Sequence, residues 1–241
     1  MANGGAIGIL TGVSPMRVLL FDVFGTLVDW RSSLIDIAET SGTPADWPAV
    51  VDDWRRAYQP ALDRVRQDAT WRDLDAVHRG TLDEVLARHA VPLPAAGRET
   101  LVQGWRRLRP WPDTREGLER LRRGYVTATL SNGHVALLAD LLKFGDLRVD
   151  AVLSAQLAAS YKPAPEVYLK AVELLGYQPD EAGMVAAHPT DLQAAAALGL
   201  RPLFVRRPLE WGPGAAPAEP PALDGLIDAG DLGQLAGALG C

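Results

Sequence analysis

Cysteine is nearly absent from this chain: the only one is Cys241, the last residue of 241. No internal disulfide can form, and no zinc site built on thiolates is available. Lysine is almost as scarce. Of 24 basic residues only Lys143, Lys162 and Lys170 are lysines, so the position of each carries information. There is no excess of positive charge. The formal net charge is −6 and the pI about 5.2, which argues against a global electrostatic grip on nucleic acid. No uninterrupted apolar stretch reaches the roughly 18 residues of a membrane-crossing helix. Residues 1–15 lack a basic region, and their apolar run at 6–10 is too short for the core of a signal peptide. The cytoplasm is the expectation, with residues 1–14 read as a loose lead-in.

What is present is a globular composition, 48% hydrophobic and 22% charged, in a chain long enough to bury a full core. A short Val- and Leu-rich run at 16–21 (MRVLLF) reads as a buried strand, and the runs at 127–130 (TATL), 183–187 (GMVAA) and 202–205 (PLFV) read as further strands. The first three end in polar or turn-forming residues. Helical patterns at 114–123, 135–144, 165–175 and 192–198 alternate with them, followed by Gly124, Gly145, Gly176 and Gly199 as expected left-handed helix ends. Strand and helix in alternation predict a parallel sheet with right-handed crossovers. The stretch 32–109 differs. It has helical periodicity, many Arg and Asp, four tryptophans (Trp47, Trp54, Trp71, Trp105) and no convincing strand. It reads as a helical insertion directly after the first strand. The proline-rich segment 208–221 reads as a surface loop before a short terminal helix.

Ligands of open parallel sheets bind at the carboxyl ends of the strands. Three of these ends carry chemistry: Asp22 and Thr26, then Ser131 and Asn132, then His188 and Asp191. Between the second and third lies Tyr161-Lys162-Pro163. Two carboxylates, hydroxyls and an ammonium are thereby directed to one cleft. FDVFGTL at 21–27, LSNG at 130–133, YKP at 161–163 and the later Asp191 resemble, in order, the four motifs of the haloacid dehalogenase superfamily. The resemblance covers about 16–207. It implies an α/β fold, a Rossmann-like core with a parallel sheet flanked by helices (15–31 and 110–241), and an inserted helical cap (32–109).

Fold alone does not choose the reaction. Most members are magnesium-dependent phosphatases with a second Asp two residues after the nucleophile, and here that position is Phe24. The segment 185–191 (VAAHPTD) supplies Asp191 alone where an acidic cluster is usual. Magnesium needs carboxylates and water. A phosphate ester leaves as an alkoxide that needs a proton, whereas a halide leaves as a stable anion. The sequence therefore looks most like the L-2-haloacid dehalogenase branch, with a small haloacid and its halide as partners, no metal and no organic cofactor.

By that resemblance Asp22 attacks the substrate α-carbon, and water then hydrolyses the resulting ester. Asp191, oriented by Lys162, is the candidate for activating that water, and Lys162 keeps Asp22 ionised. Thr26, Ser131 and Asn132 hold the substrate carboxylate or position the nucleophile. Tyr168 matches a family tyrosine near the site. Arg55, or its neighbour Arg56, receives the halide. The fourth motif departs from the usual dehalogenase pattern at Ala186-Ala187-His188. A hydroxyl is lost and an imidazole gained, which suggests a donor to halide or water at His188 and a substrate as small as a haloacetate. Two other readings stand beside this one: a phosphatase with an atypical magnesium site, and a degenerate member that binds a small acid. Family likeness also allows a homodimer through the cap.

Overall fold

The computed structural model describes residues 14–68 and 70–241, so most of the expected lead-in, 1–13, lies outside the described residues. In chain order the elements are β1 (Val18–Phe21), β2 (Val28–Asp29), α1 (Trp30–Glu39), α2 (Trp47–Gln67), α3 (Leu74–Arg88), α4 (Ala95–Gly104), β3 (Arg109–Pro110), α5 (Thr114–Leu121), β4 (Val126–Ser131), α6 (Val135–Gly145), β5 (Ala151–Ser154), α7 (Pro165–Leu175), β6 (Ala182–Ala186), α8 (Pro189–Ala196), β7 (Arg201–Val205), β8 (Ile227–Ala229) and α9 (Leu232–Ala238). Six strands form one parallel sheet in the order β5-β4-β1-β6-β7-β8. Every residue of β1 is buried. That is why its sequence is a continuous apolar run and not an alternating one. The buried hydroxyls of β4 are satisfied by its neighbour: Thr129 donates to Leu153 O at 2.8 Å, and Thr127 to Asp150 at 2.9 Å.

The four expected strands are all present. Two more, β5 and β8, occupy the edges of the sheet, and β8 separates the proline-rich loop from α9. They are four and three residues long, too short for a periodicity to show. Of the four glycines, Gly176 ends α7 in the left-handed region (φ 74°). α6 instead runs through Gly145 and turns at Asp146 (φ 47°), a residue whose short polar side chain tolerates that conformation. Gly199 is left-handed (φ 91°) a little beyond α8, and Gly124 is not left-handed.

Four helices, α1 to α4, fill the stretch between the two halves of a short antiparallel ribbon, β2 with β3. This ribbon lies at the borders of the stretch read as a helical insertion and ties its two ends together. Aspartates start three of the helices: Asp29, Asp46 and Asp73 accept from Ser32, Ala49 and Ala76 N–H. Helix α2 buries Val50, Val51, Trp54, Tyr58, Leu62 and Val65 along one stripe. Trp54 donates to His78 O and Thr81 Oγ1 of α3, both at 3.0 Å. Among the described residues no helix is long and apolar enough to cross a membrane.

On the far side of the molecule, α5 and α9 approach so closely that a Cβ at Gly117 would stand 2.4 Å from Leu232 Cβ and 3.0 Å from Leu232 C. Gly117→Ala is therefore expected to destabilise the fold by about 1–3 kcal/mol through overpacking, less the ~1 kcal/mol helical gain of alanine. A lower urea midpoint with unchanged turnover of the folded fraction is the expected reading. An unshifted midpoint would mean that α9 slides aside freely.

Candidate active site

Strand order reverses at β1, which lies between β4 and β6, and the crevice at such a point opens at the strands' carboxyl ends. Asp22 is the next residue after β1. Its N–H still pairs with Val185 O at 3.0 Å, so the carboxylate projects from the last rung of the sheet. The chain then turns at Gly25 (φ 89°) and returns beneath the carboxylate. Thr26 donates to Asp22 Oδ2 at 2.7 Å and accepts from Ala187 N–H at 3.0 Å. Thr26 is fully buried and does not line the cavity. Of the two roles left open for it by the sequence, the geometry favours holding the Asp22 carboxylate in place.

Lys162 arrives from the loop between β5 and α7. Its backbone N–H donates to Asn132 Oδ1 at 2.7 Å, which ties that loop to the end of β4. Its Nζ donates to Asp22 Oδ1 at 2.9 Å and to Asp191 Oδ2 at 2.5 Å. Tyr168, on α7, donates to the other oxygen of Asp191 at 2.5 Å. Asp191 sits in the first turn of α8, where a carboxylate is favoured. Ser131 Oγ accepts from Gly133 N–H at 3.2 Å.

His188 completes the shell of Asp22, with Nδ1 3.1 Å from Asp22 Oδ2. Its other nitrogen, Nε2, faces Glu210 Oε1 at 3.0 Å. Trp30 Nε1 donates to that same oxygen at 3.0 Å. Glu210 belongs to the proline-rich loop and is 4% exposed. A Cβ on Gly25 would lie 2.3 Å from its Oε1, so the bare backbone of the first motif is what admits this carboxylate. Sequence reasoning missed Glu210 and Trp30. The available signal was Trp211, a large aromatic in a proline-rich loop that has to pack somewhere. It meets Trp30 edge-on at 5.1 Å.

A cavity of about 600 Å³ opens above these groups. Asp22, Phe24, Ser131, Asn132, Lys162, Tyr168, His188 and Asp191 line its sheet side; Arg55, Arg56 and Tyr58 of α2 line the opposite side, with Trp211 at the edge. The structure separates the two arginines. Arg56 pairs with Asp53 at 2.9 Å and is largely exposed. Arg55 lies over the rings of Tyr58 (4.7 Å) and Trp30 (5.5 Å), its Nε has no partner, and among the described residues it makes no ion pair. Phe24 packs edge-on against Trp105 of the insertion at 5.3 Å. The four tryptophans of the insertion are packing residues or lie away from this cavity; its tryptophan is Trp211.

Burial opposes every charge here, and at Asp22, Lys162 and His188 the neighbours overrule it. Burial pushes the Asp22 carboxyl up, but Lys162 and then His188 hold it well below the usual carboxylate range. Burial disfavours the Lys162 ammonium, yet Asp191 and Asp22 raise it above the ordinary lysine range. For His188, Glu210 and Asp22 together outweigh burial and push the imidazole up to about 10. Burial keeps Asp191 above its usual range against the pull of Lys162. A magnesium ion, as phosphatases of this fold use, does not fit these residues. Lys162 already bridges Asp22 and Asp191, Thr26 and His188 occupy the remaining oxygen of Asp22, and Phe24 offers no side-chain oxygen. Among the described residues no three metal-ligating side chains gather.

The model of the haloacid dehalogenase-like hydrolase family matches residues 16–199, and the chain belongs to that family. It is 30% identical over 202 residues to (S)-2-haloacid dehalogenase 4A of Burkholderia cepacia, covering 81% of this chain and 85% of the relative. A crystal structure of an L-2-haloacid dehalogenase aligns with a TM-score of 0.87 and 43% identity, over 93% of this chain and 99% of the other. A second, described as defluorinating, aligns with a TM-score of 0.88 and 34% identity, over 94% and 96%.

The raised pKa of His188 has a consequence for stability. Its ion pairs contribute fully below about 6.5, the unfolded value, fade above it and vanish as pH rises through about 10. Urea unfolding of the parent and His188→Asn from pH 6 to 10.5 is expected to show a gap that closes toward the alkaline end. A gap constant across that range would show the imidazole to be uncharged in the fold.

Proposed function

We propose that this protein hydrolyses short 2-haloalkanoic acids, haloacetates and L-2-haloacids, to 2-hydroxy acids and halide through an ester on Asp22. One observation carries the reading. Asp22 is a carboxylate locked in its ionised form by two cationic side chains, and Phe24 stands where an acid for an alkoxide leaving group would. Such a site suits a leaving group that needs no proton. An Asp22 oxygen attacks the α-carbon from the side opposite the halogen, the carbon–halogen bond breaks with inversion, and the halide departs with its electron pair. Arg55 receives it, because its guanidinium is the unpaired cation on the opposite wall. Ser131 and Asn132, with the ammonium of Lys162, face the substrate carboxylate. Asp191 and Tyr168 fix Lys162 in place.

Water then attacks the Asp22 ester carbonyl, and the base that activates it must flank that carboxyl group. Two residues do so: Asp191, across Lys162, and His188, in direct contact. The cavity as a whole would admit longer acids. Crowding at its inner end, where the His188 ring lies against Asp22, favours the smallest ones.

EDTA-treated protein is expected to release halide from chloroacetate, fluoroacetate and 2-chloropropionate, with the highest kcat/KM on the haloacetates. Asp22→Asn should abolish release. A single turnover in H2(18O) should place label in the Asp22 carboxylate; label found only in the product would rule out the ester. A preference for longer acids would overturn the small-substrate assignment. Arg55→Gln is expected to lower turnover about 10²–10³-fold, as loss of one anion-stabilising donor typically does, while Arg56→Gln stays within about two-fold on the same scale.

A further inference from the structure

The imidazole of His188 sits between two carboxylates, one of which the reaction consumes. Its Nδ1 meets Asp22 at 3.1 Å and its Nε2 meets Glu210 at 3.0 Å. Glu210 is buried, and it is fixed in turn by the Trp30 indole N–H at 3.0 Å. Every charged group around the ring is accounted for. Asp22 follows β1, Glu210 comes from the loop after β7, Lys162 reaches it only through Asp22, and Arg55 of α2 acts on it through Glu210. On its own helix, Asp191 is turned away onto Lys162 and Tyr168.

We propose that His188, oriented by Glu210, is the general base of the second half-reaction, taking the proton from the water that attacks the Asp22 ester. This rests on the dehalogenase reading of the site. The competing base, Asp191, is poorly disposed for the task. Both of its oxygens accept bonds of 2.5 Å, and the Lys162 ammonium stands between it and Asp22. His188 touches Asp22 itself and lines the cavity from which water comes.

The proton balance closes. Alkylation converts Asp22 from an anion into a neutral ester and so removes one of the two charges that hold His188 protonated. Burial, which opposes the imidazolium, then has only Glu210 against it. The ring releases its Nδ1 proton to solvent, which is the net proton of the overall hydrolysis, and keeps Nε2–H on Glu210. A water molecule gives a proton to Nδ1, and its oxygen bonds to the Asp22 carbonyl carbon. As the tetrahedral adduct collapses, the bond from that carbon to the substrate oxygen breaks, and the departing alkoxide takes the proton from Nδ1. Asp22 is left as a carboxylic acid. Its proton passes to His188, restoring the imidazolium–carboxylate pair of the resting enzyme. Each turnover therefore toggles one imidazole, and the same ring that steadies the nucleophile in the first step serves as the base in the second.

The test uses the full chain with chloroacetate in a rapid-mix experiment that reads halide release and intact protein mass. His188→Asn is expected to release about one equivalent of chloride per site and stall, with the protein heavier by a carboxymethyl group on Asp22. Steady-state turnover should fall about 10²–10⁴-fold, the usual worth of a general base. Glu210→Gln tests the same idea without removing the ring. Glu210 raises the imidazole pKa, so its loss should lower the maximal rate and move the acid limb of kcat to lower pH. A merely structural role would not move that limb. Three outcomes would overturn the proposal: parent-like turnover by His188→Asn, stalling of Asp191→Asn at the ester while His188→Asn turns over, or an acid limb that stays in place in Glu210→Gln. Absence of halide release from the parent protein on every haloacid tried would instead remove the dehalogenase reading on which the proposal stands.

Discussion

The Lys162 ammonium is the interaction on which the site depends. It lies 2.9 Å from Asp22 and 2.5 Å from Asp191, and all three groups are buried. Taking charges out of water costs several kcal/mol per ion, which mutual attraction repays only when geometry and hydrogen bonds are complete. Completeness here takes the form of a line of alternating charges: Asp191, Lys162, Asp22, His188, Glu210. Each interior member has an opposite charge on both sides, and Tyr168 and Trp30 close the two ends with neutral donors. Without Lys162, two buried carboxylates would face each other and one would take up a proton. An ionised carboxylate in a buried place is therefore a property of the whole line and not of Asp22 alone.

The fold brings that line together from four separate chain segments. The order of the sheet places Asp22 between the ends of β4 and β6, while Lys162 and Glu210 come from loops that only the closed fold returns to the same spot. Gly25 allows the last of these approaches, since a side chain there would collide with Glu210. Above the line, the insertion contributes a different kind of surface. Phe24 against Trp105, and Arg55 across the rings of Tyr58 and Trp30, make an aromatic wall whose cation, Arg55, has no ion-pair partner among the described residues. Polar machinery below, and above it an aromatic wall carrying the Arg55 guanidinium, suit a small organic anion that sheds a second, soft anion.

Much of this was legible because the candidate site residues sit at strand ends. There, a buried apolar run stops abruptly at a polar residue, and the interruption is visible in a single sequence: Asp22, Ser131 and His188 each follow such a run. Lys162 stood out because lysine is rare in this chain. The edge strands β5 and β8 were not legible, being too short to show a period, and the turn at Asp146 displaced the one expected at Gly145. Glu210 was hidden for a deeper reason. A lone acid in a proline-rich loop is ordinarily solvated, and nothing local marks it as buried; only the tertiary path of the loop does. Arg55 and Arg56 posed the same problem at shorter range. Successive helical residues point about 100° apart, so packing alone decides which one faces the cavity.

In the proposed cycle the two cations on Asp22 divide the labour by how firmly they hold their protons. Lys162 keeps a carboxylate on its far side even when Asp22 is esterified, so its charge persists through the cycle. His188 keeps one as well, Glu210, but an imidazole starts some four pKa units below an ammonium, and Asp22 is one of the two carboxylates that raise it in this buried site. Esterification of Asp22 therefore discharges the weaker cation and spares the stronger. Lys162 remains to polarise the ester, while His188 becomes a base at the moment a base is needed. The imidazole of the fourth motif, with a buried carboxylate behind it, thus links the two half-reactions through a single proton.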